Sequence, residues 1–164
     1  MDFQPLTAAH WPAVRAIYEA GIATGNATFE TQAPTWETWD KSHVAHSRLV
    51  ALAAGGTVLG WAALSPVSGR CVYGGVAEIS IYIAAEARGQ GVGRQLLQAL
   101  IQESEAHGIW TLQAGTFEEN VASIGLHTQA GFRIVGYRER IGQHYGVWRN
   151  TVHLERRSPT VGVA

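Results

Sequence analysis

The sequence predicts an α+β domain built on a mixed sheet, and three observations carry that expectation. In Val76-Ala77-Glu78-Ile79-Ser80-Ile81-Tyr82-Ile83 the odd positions are apolar and Glu78, Ser80 and Tyr82 alternate with them, the period of a strand with two unlike faces. The run Arg88-Gly89-Gln90-Gly91-Val92-Gly93-Arg94 follows and leads into a helix whose Val92, Leu96, Leu97, Leu100 and Ser104 form one stripe. Turn and cap signals order the whole chain as βααβββαβαββ, seven strands and four helices in which hairpins mix with crossover helices.

Residues Asp2 to Leu6 read as the first strand, and Thr7 caps a helix that carries Trp11, Val14, Ile17, Tyr18 and Ile22 at helical spacing, with Pro12 tolerated in its first turn. That helix fails around Gly21 to Gly25, and Gly25 to Pro34 is an irregular loop. Thr35 caps a second helix expected over Trp36 to Ser47. Strands over Arg48 to Ala54 and Thr57 to Leu64 flank Gly55-Gly56, a hairpin signal. The third helix ends near His107-Gly108, and Ile109 to Thr116 is a strand. Asn120 caps a fourth helix closed by Gly131, on which Asn120, Ser123 and His127 share one face. Phe132 to Ile141 and Val147 to Arg156 are the last strands, around a connection from Gly142 to Gly146, and the chain is expected to fray after residue 157.

A chain of 164 residues is one domain's worth. Twelve Lys and Arg balance thirteen Asp and Glu without a basic stripe, which argues against nucleic acid as a partner. Cys71 is alone, so no internal disulfide forms, and no stretch is apolar for the length of a bilayer; a soluble, cytoplasmic protein with no membrane contact is expected. Six tryptophans either wall a pocket or fill the core.

Residues without a Cβ ahead of a helix let backbone donors close on a phosphate, and the helix dipole favours the anion. Spacing separates the known anion loops. No Gly-x-x-x-x-Gly-Lys run is present, and the residue three after Gly91 is Arg94 where a dinucleotide fingerprint needs glycine. The series Arg-Gly-x-Gly-x-Gly after an alternating strand instead resembles the acetyl-CoA loop of the GNAT superfamily of N-acetyltransferases. The pieces Tyr18 to Ile22, Ala27 to Thr31 with Pro34, Arg70 with Tyr73, Glu78 with Ser80-Ile81-Tyr82, and Gly146-x-Trp148 extend the resemblance to the phosphinothricin acetyltransferase family, including its methionine-sulfoximine-acetylating members, over nearly the full length.

The resemblance implies a GNAT domain over residues 1–157, with a mostly antiparallel seven-stranded sheet whose central strands splay. It implies acetyl-CoA as co-substrate, no metal, a small amino acid analogue as acceptor, and a homodimer. Backbone groups of Ile81 and Ile83, flanking Tyr82, would pair with the pantetheine amides as an added strand does. Arg88, Gly89, Gln90, Gly91, Val92, Gly93 and Arg94 would hold the pyrophosphate. Asn120, with Ser123, would meet the pantetheine arm, a role compatible with capping the helix. Glu78 would take the proton of the acceptor amine, its alternative being a solvated strand carboxylate. His127 would protonate the thiolate, or simply hydrogen-bond on its helix. Arg70 and Tyr73 would hold the acceptor's acid group. Phe29 and Glu30 would close the acceptor pocket, with His144 near it, although Phe29 also suits a loop anchor.

The chain departs from that pattern at Val76, where threonine is usual, at Thr128 for glutamate, at His144 for lysine and at Asn150 for aspartate. Two other readings remain at this stage: a CoA-binding regulatory module without turnover, and an acetyltransferase for a protein N-terminus or a polyamine. The absence of an acidic patch argues against polyamines.

Overall fold

The computed structural model describes residues 1–164. Its elements are β1 (Asp2–Pro5), α1 (Trp11–Ala23), α2 (Trp36–Ser42), β2 (Leu49–Leu52), β3 (Val58–Pro66), β4 (Val76–Ile83), α3 (Val92–Ala106), β5 (Thr111–Phe117), α4 (Val121–Gln129), β6 (Arg133–His144) and β7 (Val147–Arg157), with 3-10 turns at Ala8–His10, Cys71–Tyr73 and Ala85–Ala87. One sheet takes the order β1-β2-β3-β4-β5-β7-β6. Every pairing in it is antiparallel except β4 with β5.

The expected order of elements is the observed one, and the differences lie at their ends. α2 stops at Ser42 rather than Ser47, because Ser42 Oγ and His43 Nδ1 both take up the Trp39 carbonyl, at 3.0 and 2.7 Å, and His43 turns extended (φ −116°). Residues 43–48 form instead a turn around the buried Arg48, whose guanidinium donates to the carbonyls of Val44, Asp40 and His43 and to the Asp40 carboxylate. β6 and β7 run longer than expected and meet at Tyr145-Gly146, both at positive φ (51° and 77°), the two-residue geometry that matches strand twist. The segment after β7, expected to fray, turns back over Trp110: the Ser158 N–H donates to the Trp110 carbonyl at 2.8 Å, and the Arg157 guanidinium donates to the carbonyls of Val161 and Gly162.

Each sheet face has its own helices. Val14, Ile17, Trp11, Trp39 and Trp61 build the core under α1 and α2, while Leu96, Leu97, Leu100 and Ile101 of α3 pack on the opposite face with Leu112, Ala114 and Leu154. Two glycines make close approaches. A Cβ on Gly21 of α1 would stand 2.7 Å from the Tyr82 ring, and one on Gly75 would stand 2.0 Å from the Trp110 ring. Gly21 therefore lets α1 settle on Tyr82, whose ring stacks with Trp61 of β3 and with Tyr18 of α1 itself.

Candidate active site

The central strands part. β4 and β5 are in register only for Val76↔Thr111, Ala77↔Leu112 and Glu78↔Gln113. Beyond Glu78, β4 pairs with β3 alone, through Gly60↔Ile83, and β5 pairs with β7 alone, through Phe117↔Thr151. The Ala84 N–H donates to the Leu59 carbonyl, and the Gly75 carbonyl accepts from Trp110, both at 2.8 Å. Antiparallel alternation between those two points turns the backbone N–H and C=O of Ile79, Ile81 and Ile83 away from β3, into the opening. The cleft formed there has a volume of about 1100 Å³.

At one end stands the glycine loop. Gly89 (φ +72°) and Gly91 (φ +80°) adopt left-handed backbone that side chains disfavour, and α3 begins at Val92. The first bond of that helix is Gln95 N–H to the Gly91 carbonyl, so the N–H groups of Val92, Gly93 and Arg94 form the free donor set of a helix start. A Cβ on Gly93 would meet Ile83 and Leu126 at 3.5 to 3.6 Å, which keeps the turn close to β4. Gln90 is tied by its side chain to the Glu86 carbonyl at 2.8 Å. Arg88 reaches the cleft itself, and its Nε donates to the Ile83 carbonyl at 3.4 Å.

α4 supplies another wall through Asn120, Ser123, Leu126 and His127. Asn120 Oδ1 caps the helix by accepting from the Ser123 N–H at 3.2 Å, and Nδ2 donates to the Asn26 carbonyl at 3.2 Å, so this side chain holds the early loop as well. His127 is buried, with Nδ1 2.7 Å from the Ser123 carbonyl and Nε2 without a partner. The carbonyl demands a proton on Nδ1, which leaves Nε2 as an acceptor facing a buried space. Burial also lowers the ring's pKa below the ordinary histidine value. In this state Nε2 can accept a hydrogen bond but not donate one; donating to a thiolate would require the ring to take a second proton first.

Glu78 sits at the apex of the cleft. A Cβ built on Gly115 would lie 3.7 Å from its Oε1, so the carboxylate leans across β5 over a position that has no side chain. Around it the cleft is lined by Tyr18, Phe29, Glu30, Ser80, Tyr82 and His43. Phe29 packs edge-on against Phe117 with centroids 4.7 Å apart and close over Gly142, where a Cβ would come within 3.1 Å of its ring. It is thus both loop anchor and pocket wall. Burial pushes the Tyr18 hydroxyl's pKa up, aided by the Glu30 charge, and burial likewise raises Tyr82, so both remain neutral hydroxyls.

Three expected residues stand elsewhere. Arg70 and Tyr73 are exposed on the turn before β4, the guanidinium 5.7 Å from the tyrosine ring centroid, and neither lines the cleft of its own chain. His144 is buried behind Phe29 and Phe117 rather than in the cleft, with Nε2 unpartnered. Conversely, Arg138, Thr151 and His153 line the cleft from β6 and β7 and were not singled out by sequence. The register of β5, β7 and β6, which places them on the Glu78 face, has no local signature. Arg149 was also missed. It lies 3.9 Å from the Phe117 ring centroid and donates to the Gly25 carbonyl and Asn26 Oδ1, contacts more than a hundred residues apart in sequence.

A mixed sheet split at its middle, with a glycine loop at a helix start beside the split, defines the class of acyl-CoA-dependent transferases. The comparisons make this specific: residues 11–132 match the model of the acetyltransferase (GNAT) family, and the chain belongs to that family and is an N-acetyltransferase. It is 33% identical over 152 residues to the L-methionine sulfoximine/L-methionine sulfone acetyltransferase of Pseudomonas aeruginosa, covering 88% of this chain and 87% of that one. Identity to the phosphinothricin N-acetyltransferase of Alcaligenes faecalis is 37%, over 88% of this chain and 76% of the relative. Among solved structures, a phosphinothricin acetyltransferase from Sinorhizobium meliloti in complex with AcCoA superposes with a TM-score of 0.88 at 28% identity, covering 99% of this chain and 91% of that one. A ribosomal-protein-alanine N-acetyltransferase from Brucella melitensis does so with 0.88 at 29%, covering 96% and 100%.

Proposed function

We propose that the protein transfers the acetyl group of acetyl-CoA to the α-amino group of a small amino-acid-like acceptor of the phosphinothricin or methionine sulfoximine class. The observation that carries this is the parity of β4: its unpaired backbone groups open into the cleft while its Glu78 carboxylate stands at the apex. The edge groups of Ile81 and Ile83 suit the two amides of a pantetheine arm. The free N–H groups after Gly91, with Arg88 and Arg94 alongside, suit a diphosphate, and Asn120 and Ser123 face the arm. The acceptor amine, once one proton passes to Glu78 directly or through a water, attacks the thioester carbon; a C–N bond forms, the C–S bond breaks, the sulfur leaves as thiolate, and the second proton shed by the new amide nitrogen passes to that thiolate. His127 Nε2 lies on the wall beside that sulfur's path and becomes a donor only as the imidazolium. Homodimer formation is part of the proposal, supported by the exposed apolar residues Ile134, Val135, Tyr137, Ile141, Val147 and Trp148 on the β6–β7 hairpin.

Thiol release from acetyl-CoA tests the reading. L-Phosphinothricin, L-methionine sulfoximine and L-methionine sulfone should each drive release with formation of the N-acetyl product; release no faster than background hydrolysis with all three would overturn it. The likeness to a ribosomal-protein-alanine acetyltransferase supports a second acceptor class, an N-terminal alanine peptide, and turnover with that peptide alone would establish it.

A further inference from the structure

Cross-strand register puts a row of side chains on one face of the sheet. Glu78 is opposite Gln113, Gly115 opposite His153, and Phe117 opposite Thr151, which in turn faces Arg138. Residues directly paired share a face, and so do residues two apart on one strand. Glu78, Gln113, Gly115, Phe117, His153, Thr151 and Arg138 therefore border one surface, all of it cleft wall. The absent side chain at Gly115 leaves the floor between the Glu78 carboxylate and His153 bare.

A zwitterionic acceptor whose amine meets Glu78 needs a cation for its acid group, and the arginines of the chain are mostly committed. Arg149 is spent on Gly25, Asn26 and Glu119, and Arg48, Arg133 and Arg156 are paired with Asp40, Glu155 and Glu105. Arg70 stands outside the cleft of its own chain, and Arg88 lies at the end beside the glycine loop. His43, which does line the acceptor side, is held neutral by burial. Arg138 is the one arginine on the cleft wall beyond the glycine loop, and its guanidinium makes no ion pair within the chain.

We propose that Arg138, with His153 beside it on the same face, binds the acid group of the acceptor and so sets specificity for acceptors that carry an anion as well as an amine. This rests on the acetyl-transfer reading above. The shared chemistry is an anionic oxygen group, either the α-carboxylate or a side-chain phosphinate. L-Methionine sulfone against its carboxamide isolates the first, and L-phosphinothricin against L-methionine sulfone isolates the second.

The test compares kcat and KM for these acceptors in wild type, Arg138→Gln, Arg138→Lys and the neighbouring surface control Arg140→Gln. Loss of a charge-assisted contact should raise KM for the free acid by about ten- to a hundredfold in Arg138→Gln. The preference for acid over carboxamide should collapse, while KM for acetyl-CoA and kcat hold. Arg138→Lys should recover part of the preference, and Arg140→Gln should keep all of it. A wild type that distinguishes neither the sulfone from its carboxamide nor phosphinothricin from the sulfone overturns the inference, as does a preference that survives Arg138→Gln or is removed by Arg70→Gln instead. In each of these outcomes acetyl transfer itself persists. A wild type that acetylates none of the acceptors overturns the broader reading and this inference with it.

Discussion

Glu78→Gln replaces the carboxylate at the apex of the cleft by an amide of the same shape. The backbone of residue 78 stays paired with Ser65 and Gln113, and the side chain is exposed, so stability should change by less than about 0.5 kcal/mol. Catalysis should suffer far more. A positioned base is worth roughly 10² to 10⁴ in rate. Because the apex is open to solvent, water can stand in for the missing base, which places the expected loss of kcat at the lower end, near a hundredfold or about 2.7 kcal/mol. Steady-state thiol release from pH 6.5 to 9.5 measures it. The defect should narrow as pH rises and the free amine becomes abundant, and KM for acetyl-CoA should hold, since the donor contacts proposed at Ile81, Ile83 and the glycine loop are backbone groups that the substitution leaves in place. Activity within a few-fold of wild type at neutral pH, or a defect that is flat across the pH range, would refute the assignment.

Acetyl-CoA at a hundred times its Kd should stabilise the protein by about 2.7 kcal/mol, roughly 5 to 10 °C in Tm for a domain of this size, with ATP far less effective; equal shifts from ATP would remove the basis for the glycine-loop reading. Gly91→Val places a β-branched residue at φ +80° and should shrink that shift, read by the same melt. Gly75→Ala drives a methyl into the Trp110 ring and should cost about 3 kcal/mol or more in urea unfolding, whereas Gly125→Ala, with nothing within 4 Å, should be neutral or stabilise by up to about 1 kcal/mol. His43 and His127 are both lowered by burial, so below about pH 6.5 the unfolded chain binds more protons than the folded one. Their contribution to stability is present above that pH and lost as pH falls through their folded values; Tm measured from pH 7 down to 5 should decline, and a rise over that window would contradict the burial argument.

Local chemistry made much of this legible. The β4 alternation, the glycine loop, the Asn120 cap and the order of elements depend on neighbours in sequence, and those expectations agree with the fold. The sequence pattern runs α2 on past Ser42 because the competition of Ser42 and His43 for the Trp39 carbonyl is a side-chain event that periodicity does not register. Arg138 and His153 have no local signature because their place on the Glu78 face follows from the register of three strands distant in sequence. Arg70 and Tyr73 rest on resemblance alone, and neither lines the cleft of its own chain.

The brief junction of β4 with β5 has a mechanical meaning. Strands β1 to β4 and strands β5, β7 and β6 are two half-sheets joined along three residue pairs and braced by Gly75 against Trp110. Above that joint β4 and β5 share no register pair, and the halves meet again through the early loop, where Asn120 and Arg149 hold Gly25 and Asn26 and Phe29 packs on Phe117, so they stand like the two arms of a clothes-peg. A molecule that hydrogen-bonds to one arm and packs on the other damps their relative motion, so the stiffness of the whole domain becomes a function of occupancy. Amide hydrogen exchange with acetyl-CoA added would show this as slowed opening along β5 and β7, strands distant from the glycine loop proposed to hold the diphosphate.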